Sequence, residues 1–232
     1  MIFDGTQKTI GKGSQADVVS YYGYAYKIYK KNYPLEWIKF EKKQQEFVNK
    51  AGLSDVKYYD TDDTHILKMD LISGVTLENV ASKGDLNVWD ILRNAFEVVH
   101  GKNVEGLDFP SFIDTAAIGL CEDDKITILP IIERLSKKME NRVCHLDLHF
   151  LNIMIPECGK NFQIIDWINA RLAPMVFDYA RTYVIFEEFS KIGLDMYIKN
   201  VLPQMWNSGV SEDDFYDAIK VSKIIRQAEK AN

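Results

Sequence analysis

The sequence predicts an α+β protein, with a small antiparallel sheet and one helix at the N-terminus followed by a mostly helical remainder. Three observations predict it. Residues are 47% apolar, with 12 Tyr, 12 Phe and 4 Trp against 6 Pro, which excludes a disordered or linker-rich chain. The first thirty residues alternate in β fashion around glycines, and beyond Ser73-Gly74 long stretches carry apolar residues at helical spacing. That dipeptide is the boundary: residues 1–73 form an N-terminal lobe and 74–232 a C-terminal lobe.

The strand readings come first in the chain. Thr9-Ile10, Asp17 to Tyr21 and Tyr24 to Tyr29 are punctuated by Gly11, Gly13 and Gly23, and form a meander. Pro34 opens a helix from Leu35 to Val48 that Gly52 ends. Val56 to Tyr59 and His65 to Leu71 complete a five-stranded sheet across the turn Asp60-Thr61-Asp62-Asp63-Thr64. Helices are then expected at Val88 to Lys102, Leu129 to Asn141, Val176 to Lys191, Leu194 to Met205 and Ser211 to Lys230. Only Ile153 to Pro156 and Phe162 to Ile165 read as short strands among them.

Net charge is 28 Lys+Arg minus 34 Asp+Glu, or −6, which argues against phosphate-neutralising contact with nucleic acid. Cys121, Cys144 and Cys158 contain no C-x-x-C pair, so no disulfide framework or zinc knuckle is indicated. No run approaches the roughly eighteen apolar residues of a membrane span, and the N-terminus lacks a signal-like apolar core. A cytoplasmic protein without membrane contact is the expectation.

Three constellations bear on chemistry. Gly11-Lys12-Gly13-Ser14-Gln15-Ala16 is a glycine-rich turn between strands, either a plain hairpin or a cradle whose N–H groups point at phosphate. Lys27 shares a strand face with Ala25 and Tyr29; it is either an edge lysine or a phosphate-gripping ammonium held by Glu41 or Glu46 of the following helix. Most specific is His145-Leu-Asp147-Leu-His149-Phe-Leu-Asn152 followed by Ile165-Asp166-Trp167. Carboxylates and an amide inside apolar runs need a charge partner or a metal, and oxygen ligands from Asn152 and Asp166 suit Mg²⁺ while Asp147 faces a hydroxyl. Two other readings stay open: a His145/Asp147/His149 transition-metal site of a metallohydrolase, and buried polar groups that merely cap a turn.

His145-x-Asp147 with Asn152 resembles the H-x-D-x-x-x-x-N catalytic loop of protein-kinase-like enzymes, in the form seen in aminoglycoside phosphotransferases and choline kinase-like small-molecule kinases. Ile165-Asp166-Trp167 is similar to their metal-binding segment, and Asp178-Tyr-Ala resembles the D-x-A that follows it. The resemblance implies a two-lobed protein-kinase-like fold and an ATP-dependent phosphotransferase acting on a hydroxyl of a small molecule such as an aminoglycoside, amino sugar or amino alcohol.

By that resemblance Asp147 orients the hydroxyl, Asn152 and Asp166 hold Mg²⁺, and Lys27 contacts ATP phosphates with Glu41 as its partner. Gly11, Gly13 and Ser14 cover the phosphates, and Met69, Asp70 and Leu71 fall where a hinge would hold adenine. Ala16 stands where kinases carry a third glycine. His145 and His100 are expected to be structural. Glu187, Glu188, Asp195, Glu212, Asp213, Asp214 and Asp217 lie on the C-terminal helices, as a cationic acceptor's wall or, the favoured reading, as a solvated face mixed with basic residues. A nucleotide-binding pseudokinase remains the alternative class.

Overall fold

In the computed structural model, which describes residues 3–157 and 162–231, a five-stranded antiparallel sheet packs on one helix and leads into a helical lobe. The strands are β1 (Lys8–Lys12), β2 (Ala16–Tyr21), β3 (Tyr24–Tyr29), β4 (Tyr58–Tyr59) and β5 (Ile66–Asp70), in spatial order β1-β2-β3-β5-β4. Tyr22 and Gly23 both have positive φ, 45° and 79°, which turns β2 into β3 with the twist a tight hairpin requires. Helix α1 (Leu35–Lys50) follows Pro34 and buries Ile38, Glu41, Gln45 and Val48 along one face. The sheet's own core is small: Ala16, Tyr29, Ile38 and Leu67 form one cluster, and Val19, Tyr26 and Ile66 another.

Strand β6 (Gly74–Thr76) pairs with β8 (Ile153–Pro156), which pairs with β9 (Gln163–Ile164). A Cβ on Gly74 would lie 2.2 Å from the Ile155 carbonyl oxygen, so the β6–β8 approach demands glycine there. The helical lobe comprises α2 (Leu77–Ala81), α3 (Val88–His100), α4 (Phe112–Thr115), α5 (Glu122–Lys138), α6 (Val176–Phe189), α7 (Lys191–Asn200), α8 (Leu202–Asn207) and α9 (Glu212–Ala231). Its core runs through the buried face of α3, where Val88, Leu92, Ala95, Phe96 and Val99 recur at helical spacing, onto α6, which is buried on nearly every side. Each fully buried Leu or Phe of this kind is worth about 1.5–3 kcal/mol.

Three sequence readings are corrected. The helix expected from Leu129 to Asn141 runs from Glu122 to Lys138 with Pro130 inside it; its true start is marked by Glu122, Asp123 and Asp124, which complement the helix dipole. Asn141 belongs instead to β7 (Asn141–Cys144), which pairs antiparallel with β10 (Arg171–Pro174). With β6, these are strands beyond the two expected among the helices, and the short α2 and α4 were not anticipated either. Cys121 and Cys144 are free thiols, exposed and buried respectively, and Cys158 lies outside the described residues. No helix among the described residues is long and apolar enough to cross a membrane.

Candidate active site

Strand β3 carries Lys27 on the face turned toward α1, and the register of that helix supplies its partner. Lys27 Nζ donates to Glu41 Oε1 at 2.7 Å, while Glu46 is exposed on the other side of the helix. Glu41 is 2% exposed, and its second oxygen accepts from the Tyr29 hydroxyl at 2.6 Å. Burial pushes the Glu41 carboxyl upward against the pull of Lys27, and opposes charge on the ammonium; Asp166 and Glu41 together nevertheless hold Lys27 well above its ordinary value. Lys27 therefore stays cationic. It also reaches across the cleft to Asp166 Oδ1 at 3.3 Å.

The segment 144–152 is fixed from beneath. Asp178, fully buried near the start of α6, accepts from the His145 amide at 3.0 Å and the Leu146 amide at 2.8 Å, and His100 Nε2 donates to the same carboxylate at 3.0 Å. Thr182, one turn on, donates to the Leu148 carbonyl at 2.7 Å. His145 is wholly buried and donates Nε2–H to the Ile165 carbonyl at 3.0 Å; burial lowers its pKa and keeps it neutral. These contacts hold Leu146 at a φ of 58° and deliver Asp147 to the cleft.

Asn152 Nδ2 donates to the Asp147 carbonyl at 2.8 Å and to Asp147 Oδ2 at 3.0 Å. The Asn152 amide nitrogen is thus turned inward, and among the described residues nothing donates to its Oδ1. His149 Nδ1 accepts from the Leu151 amide at 3.3 Å, so Nε2–H faces Asp147 Oδ2 at 3.7 Å. Burial raises the Asp147 carboxyl, but His149 and the charge of Arg181 outweigh it and hold the group well below the usual carboxylate range. Asp147 is an anion at neutral pH.

A single cleft of about 1220 Å³ brings Ser14, Lys27, Asp147 and Asp166 together. Gly11 and Gly13 lie in and just beyond β1 without reaching the lining; Gly13 closes the turn by donating its amide to the Ala16 carbonyl at 2.9 Å. Asp70 and Leu71 line a separate cavity of about 580 Å³ with Ser73 and Gln163, and Met69 lies in β5 between Ala25 and Tyr58. The Asp70 carboxylate is occupied by the Lys57 amide at 2.9 Å and the Tyr59 hydroxyl at 3.0 Å.

Two alternatives lose their basis. His145 Nε2 is taken up by the Ile165 carbonyl, and His145, Asp147 and His149 do not form a group of metal-ligand atoms among the described residues. The His/Cys/Asp cluster that does form among the described residues is His100, Cys144 and Asp178, and its carboxylate is already taken up by three N–H donors. Four of the seven acidic residues named on the C-terminal helices are drawn into ion pairs, Glu187 with Lys223, Glu188 with Arg226 and Lys230, Asp214 with Arg134 and Lys138, and Asp217 with Arg134, while Asp195, Glu212 and Asp213 are exposed to solvent.

Sequence reasoning gave no role to three residues of this region. Tyr29 was placed on the Lys27 face by the strand period, and the structure adds that its hydroxyl holds Glu41. Arg171 and Arg181 also line the cleft; Arg181 stands one helical turn from Asp178 and pairs with Glu229 of α9.

Residues 112–208 match the phosphotransferase enzyme family. No curated protein matches the sequence. Among solved structures, choline kinase LicA from Streptococcus pneumoniae is 17% identical and covers 97% of this chain and 84% of its own, with a TM-score of 0.62. The same protein in complex with AMP aligns with a TM-score of 0.61, at 17% identity over 97% of this chain and 82% of that one. An aminoglycoside-3'-phosphotransferase of type VIII aligns at 16% identity over 94% and 93% of the two chains, with a TM-score of 0.67. The chain thus has the protein-kinase-like fold of these enzymes, and the segment that carries Asp147, Asn152, Asp166 and Asp178 lies within the residues that match the phosphotransferase enzyme family.

Proposed function

We propose that the protein transfers the γ-phosphate of ATP to a hydroxyl of a small molecule, residues 1–73 binding the nucleotide and residues 74–232 carrying the reactive groups and the acceptor. The observation that carries this reading is the convergence, in one cleft, of an ammonium held by a buried carboxylate with the Asp147/Asn152 pair and Asp166. AMP in the LicA complex supports a nucleotide ligand.

Phosphoryl transfer has a loose transition state, so positioning and charge neutralisation dominate over base strength. Asp147, held ionised, accepts a hydrogen bond from the acceptor hydroxyl and aims it. The hydroxyl oxygen forms a bond to the γ-phosphorus as the bond to the β,γ-bridging oxygen breaks. ADP departs with that electron pair, and the hydroxyl proton passes to Asp147. Lys27 lies against the α- and β-phosphates, its orientation fixed by Glu41 and Tyr29, and Ser14 of the β1–β2 turn covers them between Gly13 and Ala16. Of the residues read as hinge, Asp70 already donates its amide to the Lys57 carbonyl at 3.1 Å, which leaves Leu71 beside it to meet adenine.

The donor set suits Mg²⁺: the Asn152 Oδ1 left free and the partly exposed Asp166 carboxylate are hard oxygen ligands on one side of the cleft. Bound there, Mg²⁺ would neutralise charge on the phosphates. Asp147→Asn is expected to lower kcat by about 10²–10⁴-fold while Mg-ATP still raises the melting temperature as in the parent. An Asp147→Asn protein with unchanged ADP release in the presence of acceptor would refute the assignment.

A further inference from the structure

The chain's net charge is −6, yet six Lys or Arg side chains line the cleft; Lys27, Arg181, Arg226 and Lys230 are paired with Glu41 and Asp166, Glu229 and Glu188, which leaves Lys30 and Arg171 without a carboxylate partner among the described residues. Two of the cations, Lys27 and Lys30, come from the sheet side, where the triphosphate belongs. The other four, Arg171, Arg181, Arg226 and Lys230, come from β10, α6 and α9 in the helical lobe.

Arg171 is the informative member. It is 8% exposed, and its guanidinium is positioned by neutral acceptors: Nε donates to Thr115 Oγ1 at 3.0 Å, and Nη1 to the carbonyls of Ile168 at 2.9 Å and Ala170 at 2.8 Å. Among the described residues no carboxylate pairs with it, and its Nη2 makes no hydrogen bond. Burial pulls its pKa down only to about 10, so it is charged at neutral pH. The three hydrogen bonds and the Phe40 ring, whose centroid is 5.1 Å from the Arg171 Cζ, offset part of the burial cost, and an anion on its free edge would complete the desolvated cation. Arg181 is equally buried; Glu229 takes its Nη2, but its Nε has no partner. Both guanidiniums line the cleft that holds Asp147, and a planar fork suits carboxylate and phosphate oxygens.

Resting on the phosphotransferase reading, we infer that the acceptor is an anion: a small hydroxyl compound bearing a carboxylate or phosphate, which Arg171 receives on its free edge while the hydroxyl faces Asp147. Of the acidic residues that would meet a polycation, Glu187, Glu188, Asp214 and Asp217 are already spent on Lys223, Arg226, Lys230, Arg134 and Lys138, and the exposed Asp195, Glu212 and Asp213 do not line the cleft. Of the three lining carboxylates, Asp147 and Asp166 serve the reaction and Glu229 pairs with Arg181.

The test uses the full chain with Mg-ATP and matched acceptors: glycerate, glycerol 3-phosphate, glycerol, glyceramide, choline and an aminoglycoside, read by ADP release. An anionic member is expected to exceed its neutral counterpart at least tenfold in kcat/KM, and the better of glycerate and glycerol 3-phosphate tells carboxylate from phosphate. Arg171→Gln should raise KM for that anion tenfold or more with KM for ATP within threefold. Arg171→Lys, which keeps the charge without the fork, should fall between and guards against a folding defect. A melting-temperature rise of the Mg-ADP complex with the anion reads binding without turnover. Neutral or cationic acceptors turned over as well as anionic ones, an unchanged KM in both variants, or no anion-dependent rise in melting temperature each overturns the inference. No ADP release with any compound, together with no Mg-ATP-dependent rise, instead overturns the phosphotransferase reading itself.

Discussion

Replacing Asp178 by Asn isolates how the reactive segment is held. The wild-type carboxylate, fully buried, accepts from the amides of His145 and Leu146 and from His100 Nε2, at 3.0, 2.8 and 3.0 Å. Asn keeps the volume but presents one oxygen and one NH₂ group, so at least one of these donors meets another donor and is left unpaired inside the protein. A hydrogen bond to a charged group contributes about 1.5–3 kcal/mol, and a buried unsatisfied donor costs about 1–3 kcal/mol. The expected destabilisation is about 2–4 kcal/mol, or a melting-temperature loss of about 4–16 °C for a chain of this length. Because the lost donors belong to the residues just before Asp147, kcat should fall by about 10²-fold, as for an ångström-scale misplacement. KM for ATP should stay within threefold, since Lys27, Glu41 and Asp166 are untouched. Differential scanning calorimetry and steady-state ADP release read the two effects. A melting temperature within about 2 °C of wild type would refute the energetic argument, and a lowered melting temperature with full kcat would refute the positioning role.

Lys27→Met leaves Glu41 charged and buried, a change that costs about 3–5 kcal/mol; Lys27→Met/Glu41→Gln should recover part of that loss in urea unfolding, and strictly additive effects would refute the pairing. Asp214 supplies the pH dependence. Burial raises its carboxyl, but hydrogen bonds from Lys138, Ser211 and Arg134 outweigh that and depress it. A depressed carboxyl stabilises above its unfolded pKa of about 3.9 and loses that contribution as pH falls toward the folded value. The gap in melting temperature between wild type and Asp214→Asn should therefore be full at pH ~6 and narrow by pH ~2.5; an equal gap at both would count against it.

The N-terminal sheet and α1 were legible because glycines, a proline and strict alternation are local signals. Local pattern also contained the choice between Glu41 and Glu46: positions 38, 41, 45 and 48 share the buried face of α1, and residue 46 is on the opposite side. The catalytic-loop constellation was legible because polar groups inside apolar runs announce themselves. Strands β7 and β10 were not, being four residues each and stabilised by pairing across a separation of nearly thirty residues, with no alternation long enough to read. Arg171 was invisible for a related reason. Its partners are a hydroxyl on α4 and two carbonyls, none of which leaves a charge pattern in the sequence.

Two non-glycine residues beside the reactive groups, Leu146 at φ 58° and Asp166 at φ 62°, occupy the left-handed region. Each such residue costs on the order of 1–3 kcal/mol and persists only where its surroundings dictate it. For Leu146 the restraint is Asp178. For Asp166 it is a frame on either side: the Ile165 amide donates to the Asn152 carbonyl at 3.0 Å, His145 donates to the Ile165 carbonyl, and Trp167 Nε1 donates to the Ile164 carbonyl at 3.0 Å. All of these groups lie in the helical lobe and the β-hairpin attached to it. The sheet reaches Asp166 through Lys27, whose 3.3 Å contact with it is the longer of its two ion pairs. The Asp147, Asn152 and Asp166 geometry is consequently built without the N-terminal sheet. A shift of the sheet relative to the helices would alter Lys27–Asp166 first and leave Asp147–Asn152 in place.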